Sequence, residues 1–186
     1  YVVTPAIFSS STLIEADSPN CSYVPFEGKY KLTLNNGEVV SAECDDSSAI
    51  TQNEISAYSA TVVSVVVGNC TTEISNNAFR ECPMLRDVII SESVRNIGDV
   101  AFYKCYNLTK VMIRSGVTRI GHLSFYECTG LNKINIPDTV TFIGEDCFQF
   151  CDSLTSITIP SSVTSIGNQA FWHCDSLTSA VIRSEY

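Results

Sequence analysis

The segment CFQFCDSLTSITI, Cys147–Ile159, is followed 23 residues later by AFWHCDSLTSAVI, Ala170–Ile182. The same frame runs backwards through SFYECTGLNKINI (Ser124–Ile136), AFYKCYNLTKVMI (Ala101–Ile113) and AFRECPMLRDVII (Ala78–Ile90). Phenylalanine holds one column: Phe79, Phe102, Phe125, Phe148 and Phe171. Cysteine holds another: Cys82, Cys105, Cys128, Cys151 and Cys174. Leu85, Leu108, Leu131, Leu154 and Leu177 follow three positions on. Val94, Val117, Val140 and Val163 each precede an Ile-Gly pair by three. A fixed period of this size signals a solenoid, in which each coil buries its apolar face against its neighbours.

One period can be read as structure. Leu154-x-x-Ile157-x-Ile159 alternates as a half-buried strand does. Pro137 and Pro160 close two of these strands, since proline donates no ladder hydrogen bond. The chain then turns, buries Val and Ile, and reaches a glycine, read here as a corner needing positive φ. The next column, Asp99, His122, Glu145 and Asn168, suits a turn or helix N-cap. A short helical or 3₁₀ turn is expected to present Ala-Phe inward. Stacking at about 5 Å makes ladders of Phe, Leu, Ile and Cys. Cysteine fits its column as a small buried hydrophobe.

Periodicity also disposes of tempting chemistry. His173 beside Cys174 resembles a nucleophile with its base, but the His column reads Glu81, Lys104, Glu127, Phe150, His173. Cys147, Cys151, His173 and Cys174 could suggest zinc. Cys151 and Cys174 belong to the ladder, however, and Cys147 fills the small position of Ala78, Ala101, Ser124 and Ala170. No catalytic residue, cofactor site or metal site is assigned.

The segment LTSITIPSSVTSIGNQAFWHC, Leu154–Cys174, resembles the leucine-rich repeat of the BspA-like class, found in surface proteins of anaerobic bacteria and parasitic protists. The resemblance covers roughly residues 60–182. It implies a curved solenoid with a parallel β-sheet on its concave face, and short turns and short extended segments on the convex side. It also implies adhesion to host extracellular-matrix proteins or to other microbes. Cys147 departs from the usual Ala, and Ala180 from a strand Ile or Val.

The chain has 186 residues and a net charge of −9, which argues against nucleic acid. Residues 1–58 hold eight acids and two bases, and residues 59–186 twelve and nine. No apolar run approaches the roughly 20 residues that span a bilayer. The chain opens on Tyr1, as after removal of a leader or in a fragment, and closes in a strand-like run, as if a further coil or cap followed. An extracellular or cell-surface location is expected.

Two regions follow: residues 1–58 as an N-terminal arm and cap, and residues 59–186 as repeats. Tyr30–Leu34, Asn35-Asn36-Gly37 and Glu38–Ala42 read as a β-hairpin. Val62-x-x-Val65-x-Val67 lies one period before Leu85, and Val39-x-x-Ala42-x-Cys44 two, so degenerate repeats are expected from about residue 39. In an exported protein Cys21–Cys44 is the first choice of cap disulfide, with Cys70 the third cysteine outside the ladder. Asn20, Asn69 and Asn107 open N-glycosylation sequons.

The strand column Val66, Ile89, Met112, Asn135, Thr158, Val181 is expected to face solvent. Its first three members are apolar, with Arg86, Lys110, Lys133 and Arg114 beside them, an arrangement that marks interaction surfaces. The reading is therefore a protein-binding, adhesin-type module. The alternatives are a structural module that self-associates through open solenoid ends and, more remotely, an enzyme in the N-terminal part.

Overall fold

The computed structural model describes residues 26–183. Cys21, Asn20 and the N-terminal arm lie outside them. Six coils stack in register. Each contributes a two-residue strand to one wall and a second strand, four to six residues long except in the fourth coil, to the other: β3 (Ala49–Ile50) and β4 (Val62–Val67), β5 (Glu73–Ile74) and β6 (Asp87–Ile90), β7 (Asn96–Ile97) and β8 (Lys110–Ile113). The upper coils hold β9 (Arg119–Ile120) and β10 (Lys133–Ile134), β11 (Phe142–Ile143) and β12 (Ser156–Ile159), and β13 (Ser165–Ile166) and β14 (Ser179–Ile182). Equivalent strands pair in parallel, one coil to the next, as in β6–β8 and β7–β9. The short strands make one unbroken six-stranded sheet.

Between these walls the side chains form columns. Phe79, Phe102, Phe125 and Phe148 are fully buried. Successive rings, through Phe171, are stacked with centroids 5.2–5.4 Å apart. The 23-residue frame sets this spacing, because stacked coils repeat at the interstrand distance.

The Phe segments are hydrogen-bonded turns and not the short helices expected of them. Two residues in each take positive φ: Asn77, Val100, Leu123, Asp146 and Gln169 in one column, Glu81, Lys104, Glu127, Phe150 and His173 in the other. This conformation turns alternate N–H groups toward the next coil. Phe102 N donates to Ser124 O at 2.7 Å and Lys104 N to Tyr126 O at 2.8 Å. A helix would have consumed those donors internally.

The repeat glycines also carry a different reason from the one read in the sequence. None of them has positive φ; among the described glycines only Gly37 does, at 85°. A Cβ on Gly144 would lie 2.5 Å from Gly121 C and His122 N, and one on Gly167 2.3 Å from Glu145 N. The coils touch backbone to backbone at this column, and glycine is required by close approach.

The first strands form the expected hairpin, β1 (Tyr30–Leu34) with β2 (Val39–Ala42). Gly37 N donates to Leu34 O and Leu34 N to Glu38 O, closing the turn. β1 then pairs antiparallel with β4, so the hairpin covers the first edge of the sheet. Val39–Ala42 is thus a hairpin strand and not the long strand of a degenerate coil. The first coil starts at β3 and crosses through a short helix, α1 (Gln52–Ile55), before β4.

Beneath the hairpin Lys29 is 1% exposed. Its Nζ lies 2.7 Å from Glu54 and 3.1 Å from Asp45. Burial alone would lower its pKa, but hydrogen bonds and charge from the two carboxylates raise it above the ordinary value. The cap disulfide joins Cys44 to Cys70, with Cα atoms 5.9 Å apart, and not Cys44 to Cys21. Stacking explains the choice. The pair is 26 residues apart, close to one period, so Cys70 reaches Cys44 from the adjoining layer.

Candidate functional site

The residues that made chemistry tempting in the sequence hold structural positions in the fold. Cys147 Sγ lies 3.3 Å from the Ser124 hydroxyl. Cys151 donates to Phe125 O and Cys174 to Phe148 O. His173 points outward, stacked on Phe150 and 3.6 Å from Asp175. His122 is a backbone cap: its Nδ1 accepts from Glu145 N at 2.9 Å, as Asp99 Oδ1 accepts from His122 N. Among the described residues no group of three or more His, Cys, Asp or Glu is placed to hold a metal ion.

The column cysteines share one arrangement. Cys105, Cys128, Cys151 and Cys174 donate to the carbonyls of Phe79, Phe102, Phe125 and Phe148, at 3.1–3.3 Å. All five column thiols and Cys147 are free. Burial raises the pKa of Cys147 to about 12 and that of Cys174 to about 11, and pushes Cys105, Cys128 and Cys151 well up. Neutral buried thiols are neither nucleophiles nor metal ligands.

The outer face of the long-strand sheet holds the residues singled out from the sequence. Parallel register places Val66 beside Ile89 and Ile89 beside Met112. It likewise aligns Asp87, Lys110 and Lys133. Arg86 and Lys133 are exposed; Val66, Lys110, Met112 and Arg114 are half-buried. Ile89 departs from expectation, being only 6% exposed. It belongs to the outer face and not to the inner core. Flanking side chains one strand away on each side shield it, whereas the alternation in its strand says only which way it points.

Two further residues belong to this surface. Lys31 on β1 pairs with Val66 on β4, and Tyr30, Leu32 and Leu34 point inward beside it. That alternation was visible in the sequence. Asp87 sits between Ser64 and Lys110, and burial raises its pKa against the opposing charges of Lys110 and Arg86. Five cations, Lys31, Arg86, Lys110, Arg114 and Lys133, thus border a short apolar stack that contains one carboxylate. The chain as a whole is strongly acidic, so the surface opposes the net charge.

The sequon residues fall apart in space: Asn107 is exposed, with its amide donating to Pro83 O, while Asn69 is half-buried beside the disulfide.

Comparisons with known proteins agree with this architecture. Three solved structures are similar. A leucine-rich cell surface protein from Faecalibacterium prausnitzii matches with TM-score 0.63 and 34% identity, over 66% of this chain and 32% of that one. A leucine-rich repeat protein of T. pallidum matches with TM-score 0.62 and 34% identity, over 63% and 57%. A leucine-rich repeat protein from Bacteroides ovatus matches with TM-score 0.62 and 27% identity, over 86% and 41%. The chain therefore spans between a third and about three fifths of the lengths of these proteins. No curated protein sequence matches. The family model described as the BspA type leucine rich repeat region matches residues 51–184 in six copies. With six coils in the fold and six repeats in the match, the chain belongs to the BspA-type leucine-rich repeat family.

Proposed function

We propose that this chain is the protein-binding part of a surface adhesin, engaging a host extracellular-matrix or microbial surface protein through the outer, concave face of its long-strand sheet. The observation that carries the reading is the Val66–Ile89–Met112 stack bordered by Lys31, Lys110, Arg114 and Lys133. Apolar patches rimmed by charge mark interaction sites, and a cationic rim on an acidic protein selects acidic partners. The described interior consists of stacked structural columns, and the residues of the proposed site lie on the outer face of the sheet. The Cys44–Cys70 disulfide supports an exported location, because such bonds persist in oxidising compartments. No described helix is long and apolar enough to cross a membrane.

The test begins with a binding screen against extracellular-matrix and microbial surface proteins. Met112→Glu is then titrated against the partner found. Met112 is half-buried, so the variant should fold; Ile89 is too buried for such a change. Loss of at least ~2 kcal/mol in binding, the scale of a central hot spot, is expected. Lys110→Glu with Lys133→Glu should slow association and reduce its salt dependence. Unchanged affinity in both variants would move the site elsewhere.

Self-association is the second reading. It draws on the apolar side chains of the last coil, where Ile166, Trp172, Val181 and Ile182 are 44–75% exposed. Size-exclusion chromatography with and without one added downstream repeat discriminates: a dimer that the added repeat leaves intact does not use this end.

A further inference from the structure

The six long strands do not form one sheet. β4, β6, β8 and β10 pair in succession, whereas β12 pairs only with β14. Prolines interrupt the ladder at two successive coils, and at the second, Pro160, the sheet breaks. Where coils pair normally, the residue after the long strand donates to the coil below: Arg114 N to Ile90 O, and Arg183 N to Ile159 O. The two intervening positions of that column are Pro137 and Pro160, which have no N–H.

The lower coil repairs its loss. The Asn135 side chain folds back onto β8, where Nδ2 donates to Ile113 O at 2.6 Å and Oδ1 accepts from Ile113 N at 2.9 Å. One planar carboxamide stands in for two backbone bonds. In the upper coil the same column holds Thr158, whose single hydroxyl cannot span both groups. Among the described residues no backbone hydrogen bond joins 132–137 to 155–160.

A cleft of about 310 Å³ lies there, lined among others by Lys133, Ile134, Ile136, Ser156, Thr158 and Arg183. Lys133 N bonds Thr109 O below, and Arg183 N bonds Ile159 O above. Strand alternation therefore turns the N–H and C=O groups of Ile134 and Ile136, and of Ser156 and Thr158, toward the gap. Both walls offer donors and acceptors together. A carboxylate only accepts, whereas a carboxamide does both, and Asn135 shows how such a group fits this backbone one coil below.

We propose that the cleft is a slot for a primary carboxamide, the side chain of a glutamine or asparagine on a protein partner seated on the strand face. The proposal deepens the concave-face reading and rests on it for the source of the guest. The slot can be tested alone, so its failure leaves the Met112→Glu result untouched.

The experiment titrates the full chain with N-acetylglutamine methylamide and with N-acetylglutamate methylamide, following backbone amide resonances by NMR. The glutamine compound should move Ile134, Ile136, Ser156 and Thr158 selectively, with a Kd at least threefold below that of the glutamate compound. Thr158→Asn supplies the missing carboxamide from within. It should slow hydrogen exchange at Ile136 N–H at least tenfold and abolish the shifts, whereas Thr158→Val should keep them. Equal or tighter binding of the glutamate compound would overturn the proposal, because the charges of Lys133 and Arg183 would then govern. So would the absence of shifts with either compound, full binding by Thr158→Asn, or wild-type Ile136 exchange as slow as that of Ile90.

Discussion

Cys105, Cys128, Cys151 and Cys174 each close a hydrogen bond that an alanine could not. Cys128 lies buried with its thiol 3.2 Å from Phe102 O, so Cys128→Ala leaves that carbonyl without its donor and opens a small void. A loss of about 1–3 kcal/mol in chemical denaturation is expected. The same burial makes stability depend on alkali. The unfolded thiols ionise near 9.0, while folded Cys174 and Cys147 hold their protons to about 11 and about 12. Protons are therefore retained by the folded state and lost by the unfolded one across that interval, so stability is full below pH 9 and falls as pH rises toward 12. Denaturation midpoints at pH 8, 9.5 and 10.5 check this, and a flat profile would mean the thiols are accessible. Native alkylation should likewise leave Cys105, Cys128 and Cys151 unmodified. The sequence revealed the column and its burial, but not the thiol's bond. The acceptor lies 26 residues away, on the preceding coil's Phe carbonyl, and no residue type marks a carbonyl.

At the scale of the element, the turn between short and long strand is where reading and structure part. Its Phe and Ala face inward as the pattern required, yet the backbone is no helix, because the coil above must receive its N–H groups. Left-handed residues at Val100 and Leu123 carry no sequence signature; glycine would have announced them. The glycines lie two positions before, at a backbone contact that depends on the neighbouring coil and is invisible within one period. Gly144→Ala should accordingly cost about 1–3 kcal/mol or more through overpacking, though its φ is ordinary. Phe125→Ala, with rings 5.2 and 5.4 Å away on either side, should cost about 3–5 kcal/mol. A Gly144→Ala variant as stable as wild type would show that the coils can part there. The break after β10 belongs to the same scale: both prolines were legible as strand ends, but the role of Asn135 required knowing what lay below it.

Over the whole molecule, the solenoid and the stacking of its five clear repeats followed from periodicity alone, because each coil answers only to its neighbours. The cap did not, since nothing repeats there. The Cys44 partner, the antiparallel docking of the hairpin's β1 on β4 and the buried Lys29 all depend on a single irregular layer. That layer holds the first edge of the stack. Reducing Cys44–Cys70 frees a loop of 26 residues and should remove about 3–4 kcal/mol on the chain-entropy estimate. In hydrogen exchange the loss should appear in β1, β2 and β4 and leave β8 and β9 protected. Uniform loss across all coils would show that cap and repeats unfold as one unit.

The stacking bonds themselves have a further consequence. Phe102 N reaches Ser124 O, Thr118 N reaches Arg95 O and Gly121 N reaches Ile97 O, so these bonds span 22, 23 and 24 residues. Adding coils multiplies such contacts without lengthening any of them. Relative contact order therefore falls as a chain of this kind grows, and the loop to be closed at each step stays one coil long. Such a protein can gain reach by duplicating coils without making any single closure step harder.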